Sequence, residues 1–275
     1  MDIGIGTYAL FWEWQDATPQ PMGIAGMLDR AAELDCQVFQ ICDDPRVDGL
    51  SRTELTALRD QARDLGLRLE LGTRTIGPDH LRRYLDIAEA LGAPVLRSMI
   101  QRPEIAGGRD QAVAALREVL PRLEAQGATL ALETYEQVPT AELIAVVEEV
   151  ASPRVGICLD PANCVSALEH PRDVVERTAA HVVDLHVKDF RFDRAEGWVG
   201  FTLSGARMGE GLLDLDHELG AVYREGRTPA AIVEHWLPWQ GDLETTLRTE
   251  RDWTRATLDA LRTSAQAASV PAPAP

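Results

Sequence analysis

The feature that most constrains this chain is a regular alternation of short β-rich runs with longer helical patterns. The helical stretches, such as 51–66 and 109–127, carry apolar residues at i, i+3 and i+4 spacing, and glycines follow several of them where a left-handed C-cap is expected. The β-rich runs lie at 3–9, 36–42, 67–72, 94–100, 128–133, 155–160, 181–187 and 230–234. This order predicts eight βα units in succession.

Strict β-α alternation implies a parallel sheet, because each return to a parallel strand needs a crossover helix. Eight evenly spaced units favour closure into a barrel, which leaves no edge strand exposed. The glycines at 4–6 lie inside the first strand, so the glycine-rich turn of a dinucleotide-binding sheet is not formed there. We therefore predict an α/β fold, a single (β/α)8 TIM barrel over residues 1–262. The Ala/Pro/Ser-rich segment 263–275 is expected to be a disordered C-terminal tail.

Composition and charge exclude several classes of function. The sequence has no apolar run of 18 residues, and its N-terminus lacks the basic region of a signal peptide, so we expect a cytoplasmic protein. The four cysteines have no metal-binding spacing and are expected to be buried free thiols. The formal net charge is −17, and such a surface repels phosphate backbones and anionic membranes. We therefore expect neither nucleic acid nor membrane as a partner.

Four polar residues fall at the predicted ends of strands 5 to 8, where the active site of a barrel lies. They are Glu133, Asp160, His186 and Glu234. Each alone has an ordinary explanation, since strand-end carboxylates often cap the next helix and a single histidine is often a core residue. Together they imply a metal, because three unpaired carboxylates on neighbouring strands would repel one another. One imidazole and three carboxylates favour one divalent ion, with Mn²⁺ first and Mg²⁺ or Co²⁺ as alternatives.

Five short motifs carry a resemblance to a known family. They are LALE at 130–133, LDPAN at 159–163, HVKD at 186–189, MGEG at 208–211 and IVE at 232–234. With these motifs the chain resembles the sugar isomerase/epimerase superfamily of xylose-isomerase-like TIM barrels, which includes ketose 3-epimerases, hydroxypyruvate isomerases and inosose dehydratases. The resemblance implies that the same four residues hold the metal and that Glu133 and Glu234 also move the substrate proton. The ketose epimerases have a histidine where this chain has Asn163.

Further residues are candidates for binding a small sugar or sugar-like substrate. Lys188 should share the inward face of His186, and Arg97 lies inside strand 4. Asn163 follows the strand 6 aspartate. Four tryptophans follow strands 1 and 8, which are neighbours in a closed barrel; of these, Trp12 and Trp236 are the binding candidates, with Trp14 and Trp239 beside them. For Lys188 a solvent salt bridge, and for the tryptophans rim packing, are the competing explanations.

The main functional hypothesis is a metal-dependent isomerase or epimerase that abstracts a proton next to a carbonyl and passes through an enediolate. The alternative is a lyase or dehydratase acting on a 3-keto-sugar, inosose or oxidised glycoside with the same metal. An apurinic-site endonuclease fits less well, because it needs more histidines and a basic surface. A non-catalytic binding barrel also stays open. The resemblance further implies a homo-oligomer or a small partner subunit as the assembly to expect.

Overall fold

The computed structural model describes residues 1–195, 197 and 199–269. Eight parallel strands form a closed barrel in the order β1-β10-β7-β6-β5-β4-β3-β2. The barrel strands are β1 (Ile3–Gly6), β2 (Val38–Cys42), β3 (Arg68–Gly72), β4 (Val95–Ser98), β5 (Thr129–Glu133), β6 (Val155–Leu159), β7 (Val182–Val187) and β10 (Ala231–Val233). The predicted (β/α)8 barrel is therefore confirmed.

Helices surround the barrel between successive strands. The longer ones are α2 (Ile24–Glu33), α3 (Arg52–Asp64), α4 (Pro78–Leu91), α6 (Arg109–Gln126), α7 (Thr140–Val150), α9 (Pro171–Thr178), α10 (Leu215–Arg224) and α11 (Leu243–Ser269). Three single turns, α1 (Phe11–Trp14), α5 (Arg102–Ile105) and α8 (Pro161–Cys164), follow the carboxyl ends of β1, β4 and β6. In the described part of the chain, no helix is both long enough and apolar enough to cross a membrane.

Successive side chains of each strand point alternately to the outer helices and to the inside of the barrel, so the two faces of the sheet pack differently. In β2, Phe39 and Ile41 belong to the main hydrophobic cluster with the surrounding helices. Val38, on the opposite face, instead packs with Ile232 in a small separate cluster, and Gln40 on that same face contacts polar groups inside the barrel. The interior therefore changes from apolar at one end to polar towards the carboxyl ends of the strands.

Two segments differ from the sequence-based expectation. The loop expected after strand 7 contains an antiparallel hairpin of β8 (Phe190–Arg194) and β9 (Phe201–Gly205). The helix α11 continues to Ser269, past the predicted start of the tail at residue 263. The rest of that predicted tail, 270–275, lies outside the described residues. The four cysteines are buried and free, as predicted.

Candidate metal and substrate site

The four residues predicted as ligands come together at the carboxyl end of the barrel. Each offers one ligand atom, and these atoms all lie within 4.8 Å of one another. His186 Nδ1 is 3.2 Å from Glu133 Oε1, 3.4 Å from Glu234 Oε2 and 3.9 Å from Asp160 Oδ2. All four side chains are buried. Their convergence follows from the register, because Glu133, Asp160 and Glu234 each stand at or just after the last residue of a strand.

Two cations lie inside the same cluster. The carboxylates are therefore paired, whereas the sequence had led us to expect three unpaired ones. Arg97 on β4 forms an ion pair with Glu133. Lys188, directly after β7, places Nζ 2.6 Å from Asp160 Oδ2 and 3.2 Å from Glu234 Oε2. The repulsion that argued for a metal is therefore partly offset by protein charges. What indicates a metal in this structure is the geometry of the four donor atoms.

Burial and these cations act in opposite directions on the acidic groups. Burial alone would raise the pKa of Glu133, but Arg97 and His186 lower it to about 2. For Asp160 burial outweighs the attraction of Lys188 and raises the pKa to about 6. Burial would lower the pKa of His186, yet Glu234 and Glu133 raise it to about 9. The cluster thus has a strong preference for positive charge at the position of His186 Nδ1.

The donor set fits a divalent cation. Three carboxylate oxygens and one imidazole nitrogen form a hard, oxygen-rich set of the kind that Mn²⁺, Mg²⁺ and Co²⁺ bind. Glu234 Oε1 is buried and has no hydrogen-bond partner among the described residues, which is costly unless another group satisfies it. His186 Nδ1 faces the three carboxylates while its other ring nitrogen, Nε2, is 2.8 Å from Gln40 Oε1. One nitrogen is therefore held by the protein and the other faces the ligand oxygens.

A cavity of about 270 Å³ opens directly above this cluster. Its wall includes Glu133, Asn163, Lys188, Glu234, Arg97 and Trp236, together with Tyr8, Asp43, Met99, Arg74, Tyr135, Glu136 and Ser166. Asn163 Nδ2 donates to Glu133 Oε1 at 3.0 Å, and Lys188 Nζ lies 4.5 Å from the ring centroid of Trp236. The substrate-binding candidates Lys188, Arg97, Asn163 and Trp236 therefore share one wall.

The remaining tryptophans are placed differently from the expectation. Trp12 Nε1 donates to Leu237 O, and its ring packs at 5.3 Å against that of Trp239. Trp14 packs against the hydrophobic core. The aromatic residues after β1 and β10 do meet, as their neighbouring strands require, but Trp236 alone of the four lies in the described lining of the cavity. Rim packing thus accounts for Trp12, which was a predicted binding residue.

Sequence reasoning missed the polar residues that support the site from β2 and β3. Asp43, just after β2, accepts from Arg97 Nη1 at 3.2 Å and from Arg74 Nε at 3.0 Å. Gln40 and Glu70 lie deeper in the barrel. The signal was present, because Gln40 and Glu70 interrupt apolar runs at positions whose parity points inward.

Composition contains a further signal at Lys188. It is the only lysine in a sequence with 27 basic Lys and Arg residues. Its side chain is 5% exposed, whereas the cation of a surface residue is normally solvated. This single lysine is therefore not an ordinary surface charge. The count of lysines in the sequence would already have favoured Lys188 as a site residue over a solvent salt bridge.

The HVKD and MGEG motifs form one structural unit beside the site. Asp189 Oδ2 accepts from the backbone N–H groups of Gly209 and Gly211, and Asp189 Oδ1 accepts from those of Phe190 and Leu213. A Cβ atom on Gly211 would lie 2.2 Å from Asp189 Oδ1, so only glycine fits there. Glu210 is exposed and near Arg207. The aspartate, and not the glutamate of MGEG, therefore fixes this loop.

Comparisons with known proteins agree with the fold. The family model described as xylose isomerase-like TIM barrel matches residues 28–257. The 3-oxo-isoapionate decarboxylase of Pectobacterium atrosepticum is 51% identical over 263 residues, which cover 96% of each chain. A D-psicose 3-epimerase from Clostridium cellulolyticum H10 superposes with a TM-score of 0.74 at 16% identity, covering 97% of this chain and 99% of that one. A xylose isomerase-like TIM barrel protein from Mycobacterium smegmatis in complex with magnesium gives 0.68 at 17% identity, covering 94% and 97%.

Proposed function

This chain belongs to the xylose isomerase-like TIM barrel family, and from that premise we propose that it is a metal-dependent decarboxylase acting on a carbohydrate-derived 3-oxo acid. The observation that carries the proposal is the 51% identity, over nearly the whole of both chains, to a 3-oxo-isoapionate decarboxylase. A decarboxylase is a carbon–carbon lyase. The lyase alternative of the sequence analysis is thus favoured over its main hypothesis, an isomerase or epimerase.

The proposed metal ligands are Glu133, Asp160, His186 and Glu234, with Mn²⁺ as the first ion to test. A divalent cation held there would act as a Lewis acid on the 3-oxo group. The protein side chains around it keep their own roles. Arg97 holds Glu133 through its ion pair, and Asn163 donates a second hydrogen bond to the same carboxylate.

In a 3-oxo acid the bond between the carboxyl carbon and C2 breaks as CO₂ leaves. The electron pair of that bond enters an enolate between C2 and C3, and a proton must then reach C2. Lys188 is the proposed donor, because its Nζ lies in the cavity wall beside Asp160 and Glu234. Water then returns a proton to the lysine.

The charge state of Lys188 supports this role over a covalent one. Burial alone would lower the pKa of Lys188, but Asp160 and Glu234 raise it, so that Nζ stays protonated. A lysine that forms a Schiff base needs a lowered pKa to be a nucleophile. Lys188 therefore carries a proton and is not suited to attack the 3-oxo carbon.

The charge state of Glu133 favours decarboxylation over epimerisation. Epimerisation needs a carboxylate that removes a proton from carbon, and a general base works best when its pKa is near the working pH. Arg97 helps to lower the pKa of Glu133 to about 2, which makes it a weak base. Decarboxylation needs no abstraction of a C–H proton, so a strongly ionised Glu133 suits it.

The test is to incubate the Mn²⁺-loaded protein with 3-oxo-isoapionate in D₂O and follow CO₂ release together with product deuteration. We expect one CO₂ per substrate and one deuteron on the former C2. Lys188→Met should reduce turnover by at least ~100-fold, as expected for loss of a general acid. Epimerisation of D-psicose or D-tagatose without CO₂ release from the acid would contradict the proposal.

A further inference from the structure

The second nitrogen of His186 points away from the three proposed ligand carboxylates and into the barrel, where Asp184 Oδ2 lies 3.8 Å from it. His186 Nε2 lies 2.8 Å from Gln40 Oε1. Gln40 is on β2, across the barrel from β7, and is fully buried. The contact therefore connects the site to a layer of buried polar side chains one step deeper in the barrel.

The amide of Gln40 can be oriented in only one way. Its Nε2 donates to Asp184 Oδ2 at 2.9 Å and to Glu70 Oε2 at 3.2 Å. Carboxylates accept hydrogen bonds, so turning the amide over would put its oxygen against two carboxylate oxygens. The carbonyl oxygen of Gln40 is consequently the atom that faces His186.

This orientation decides which ring nitrogen is free. A carbonyl oxygen can only accept, so His186 Nε2 must carry a hydrogen. In a neutral imidazole the lone pair is then on Nδ1, the nitrogen that faces Glu133, Asp160 and Glu234. The same hydrogen bond also fixes the rotation of the ring, as hydrogen bonds to the outer nitrogen do in metal-binding histidines.

We propose that Gln40, oriented by its hydrogen bond to Asp184, is a positioning residue that holds His186 in the tautomer and orientation that bind the metal through Nδ1. This inference rests on the proposed metal site and not on the proposed decarboxylation. Gln40 comes from β2, whereas Asp184 and His186 come from β7, and each points inward by the period of its strand. Their arrangement thus depends on barrel closure.

Glu70→Gln provides a background for testing Gln40, because it removes a buried charge that Gln40→Met alone would leave without its hydrogen bond from Gln40. Burial and the neighbouring Asp184 raise the pKa of Glu70 to about 7, so removing its charge relieves repulsion in this layer. A glutamine at that position still offers an oxygen to Gln40 Nε2. Glu70→Gln is therefore the matched control for Gln40→Met/Glu70→Gln, since the two differ only in the amide at position 40.

Mn²⁺ binding to the full chain, measured by isothermal titration calorimetry, is the first readout. The unsubstituted protein and Glu70→Gln should bind with similar affinity, and Gln40→Met/Glu70→Gln should bind about 10- to 100-fold more weakly. The second readout is ¹⁵N NMR of Mg²⁺-loaded protein labelled at histidine, with His186 assigned by its loss in His186→Asn. The Nε2–H proton should persist in Glu70→Gln and be lost to water exchange in the double variant.

The outcomes separate this inference from the others. Equal Mn²⁺ affinity and an unchanged Nε2–H signal in the double variant would overturn the role of Gln40 alone. Absence of Mn²⁺ binding by the unsubstituted protein would overturn the metal site and this inference together. Failure to release CO₂ from a 3-oxo acid, with normal Mn²⁺ binding, would affect only the proposed function.

Discussion

Arg74 differs from the other cations of the cavity in how far water can reach it. Its side chain is 62% exposed, while Arg97 and Lys188 are almost fully buried and paired with proposed ligands. Arg74 is held in place by Asp43 through Nε and donates to Tyr8 OH through Nη2 at 2.7 Å. A guanidinium that is fixed at one side and open at the other is suited to bind the carboxylate of an incoming acid.

Replacing Arg74 should therefore affect binding of an acidic substrate. In Arg74→Met we expect KM for the 3-oxo acid to rise about 10- to 100-fold, since a hydrogen bond to a charged group contributes roughly 1.5–3 kcal/mol. The affinity for Mn²⁺ should not change, because Arg74 contacts none of the proposed ligands. Arg63→Met, on the exposed face of α3, is the control. An unchanged KM in Arg74→Met would remove this residue from substrate recognition.

At this scale the sequence predicted the residues better than their interactions. The four proposed ligands could be found because a barrel places the carboxyl end of every strand at one rim; they are Glu133, Asp160, His186 and Glu234. A carboxylate partner for Arg97 could be expected inside a barrel, but its identity as Glu133 could not be found, because it depends on side-chain reach between neighbouring strands. The positions of the tryptophans failed for a related reason, since proximity to the rim does not decide whether a ring faces the cavity or the outer helices.

Among the elements, α10 carries an unusual buried group. Glu218 is fully buried, and neither of its carboxyl oxygens has a hydrogen-bond partner in the described structure. Burial, with a smaller contribution from Asp160, raises its pKa well above the ordinary value. The folded protein thus keeps a proton on Glu218 that the unfolded chain would lose at lower pH.

This difference gives a pH-dependent stability with a definite sign. Because the folded pKa is raised, stability falls as pH increases from the unfolded value of about 4.3 towards the folded pKa. Glu218→Gln removes this loss, so its free energy of unfolding should exceed that of the parent by about 1–3 kcal/mol at pH 8 and by little at pH 4. Glu225→Gln, exposed at the end of the same helix, is the control. Denaturant unfolding at both pH values measures the effect, and a gain independent of pH would contradict the explanation.

The hairpin β8–β9 is the secondary structure that the sequence did not predict. Its strands are five residues each, are mostly exposed or half-buried and show no regular alternation of buried and exposed positions, so their pattern is weak beside that of the barrel strands. The barrel strands themselves were found within a few residues, because each carries apolar side chains that face the helices. The first was predicted too long, since Thr7–Leu10 form a 3₁₀ turn that carries the chain out of β1.

For the whole molecule, the proposed metal would connect four of the eight barrel strands. Glu133, Asp160, His186 and Glu234 belong to or directly follow β5, β6, β7 and β10, which are consecutive in the barrel. An ion bound only by the folded barrel stabilises it by mass action. At a free Mn²⁺ concentration of 100 times Kd, the stabilisation is about 2.7 kcal/mol.

Thermal unfolding should therefore depend on Mn²⁺ concentration. We expect Tm to rise continuously as Mn²⁺ is added and to fall back when EDTA removes it. Asp160→Asn, which weakens one ligand, should need more Mn²⁺ for the same rise. A Tm that responds to Mn²⁺ equally in His186→Asn would show that the ion stabilises the protein from another site.

The single buried lysine also has a practical consequence for studying how copies of this chain associate. Amine-reactive cross-linkers and dyes attach to exposed lysine side chains, and this sequence has one lysine, which is almost fully buried. Such reagents would leave the folded surface nearly unmodified, so a failure to cross-link could not be taken as proof of a monomer. Carboxyl-directed coupling is the suitable chemistry here, because 44 aspartate and glutamate residues are spread along the chain.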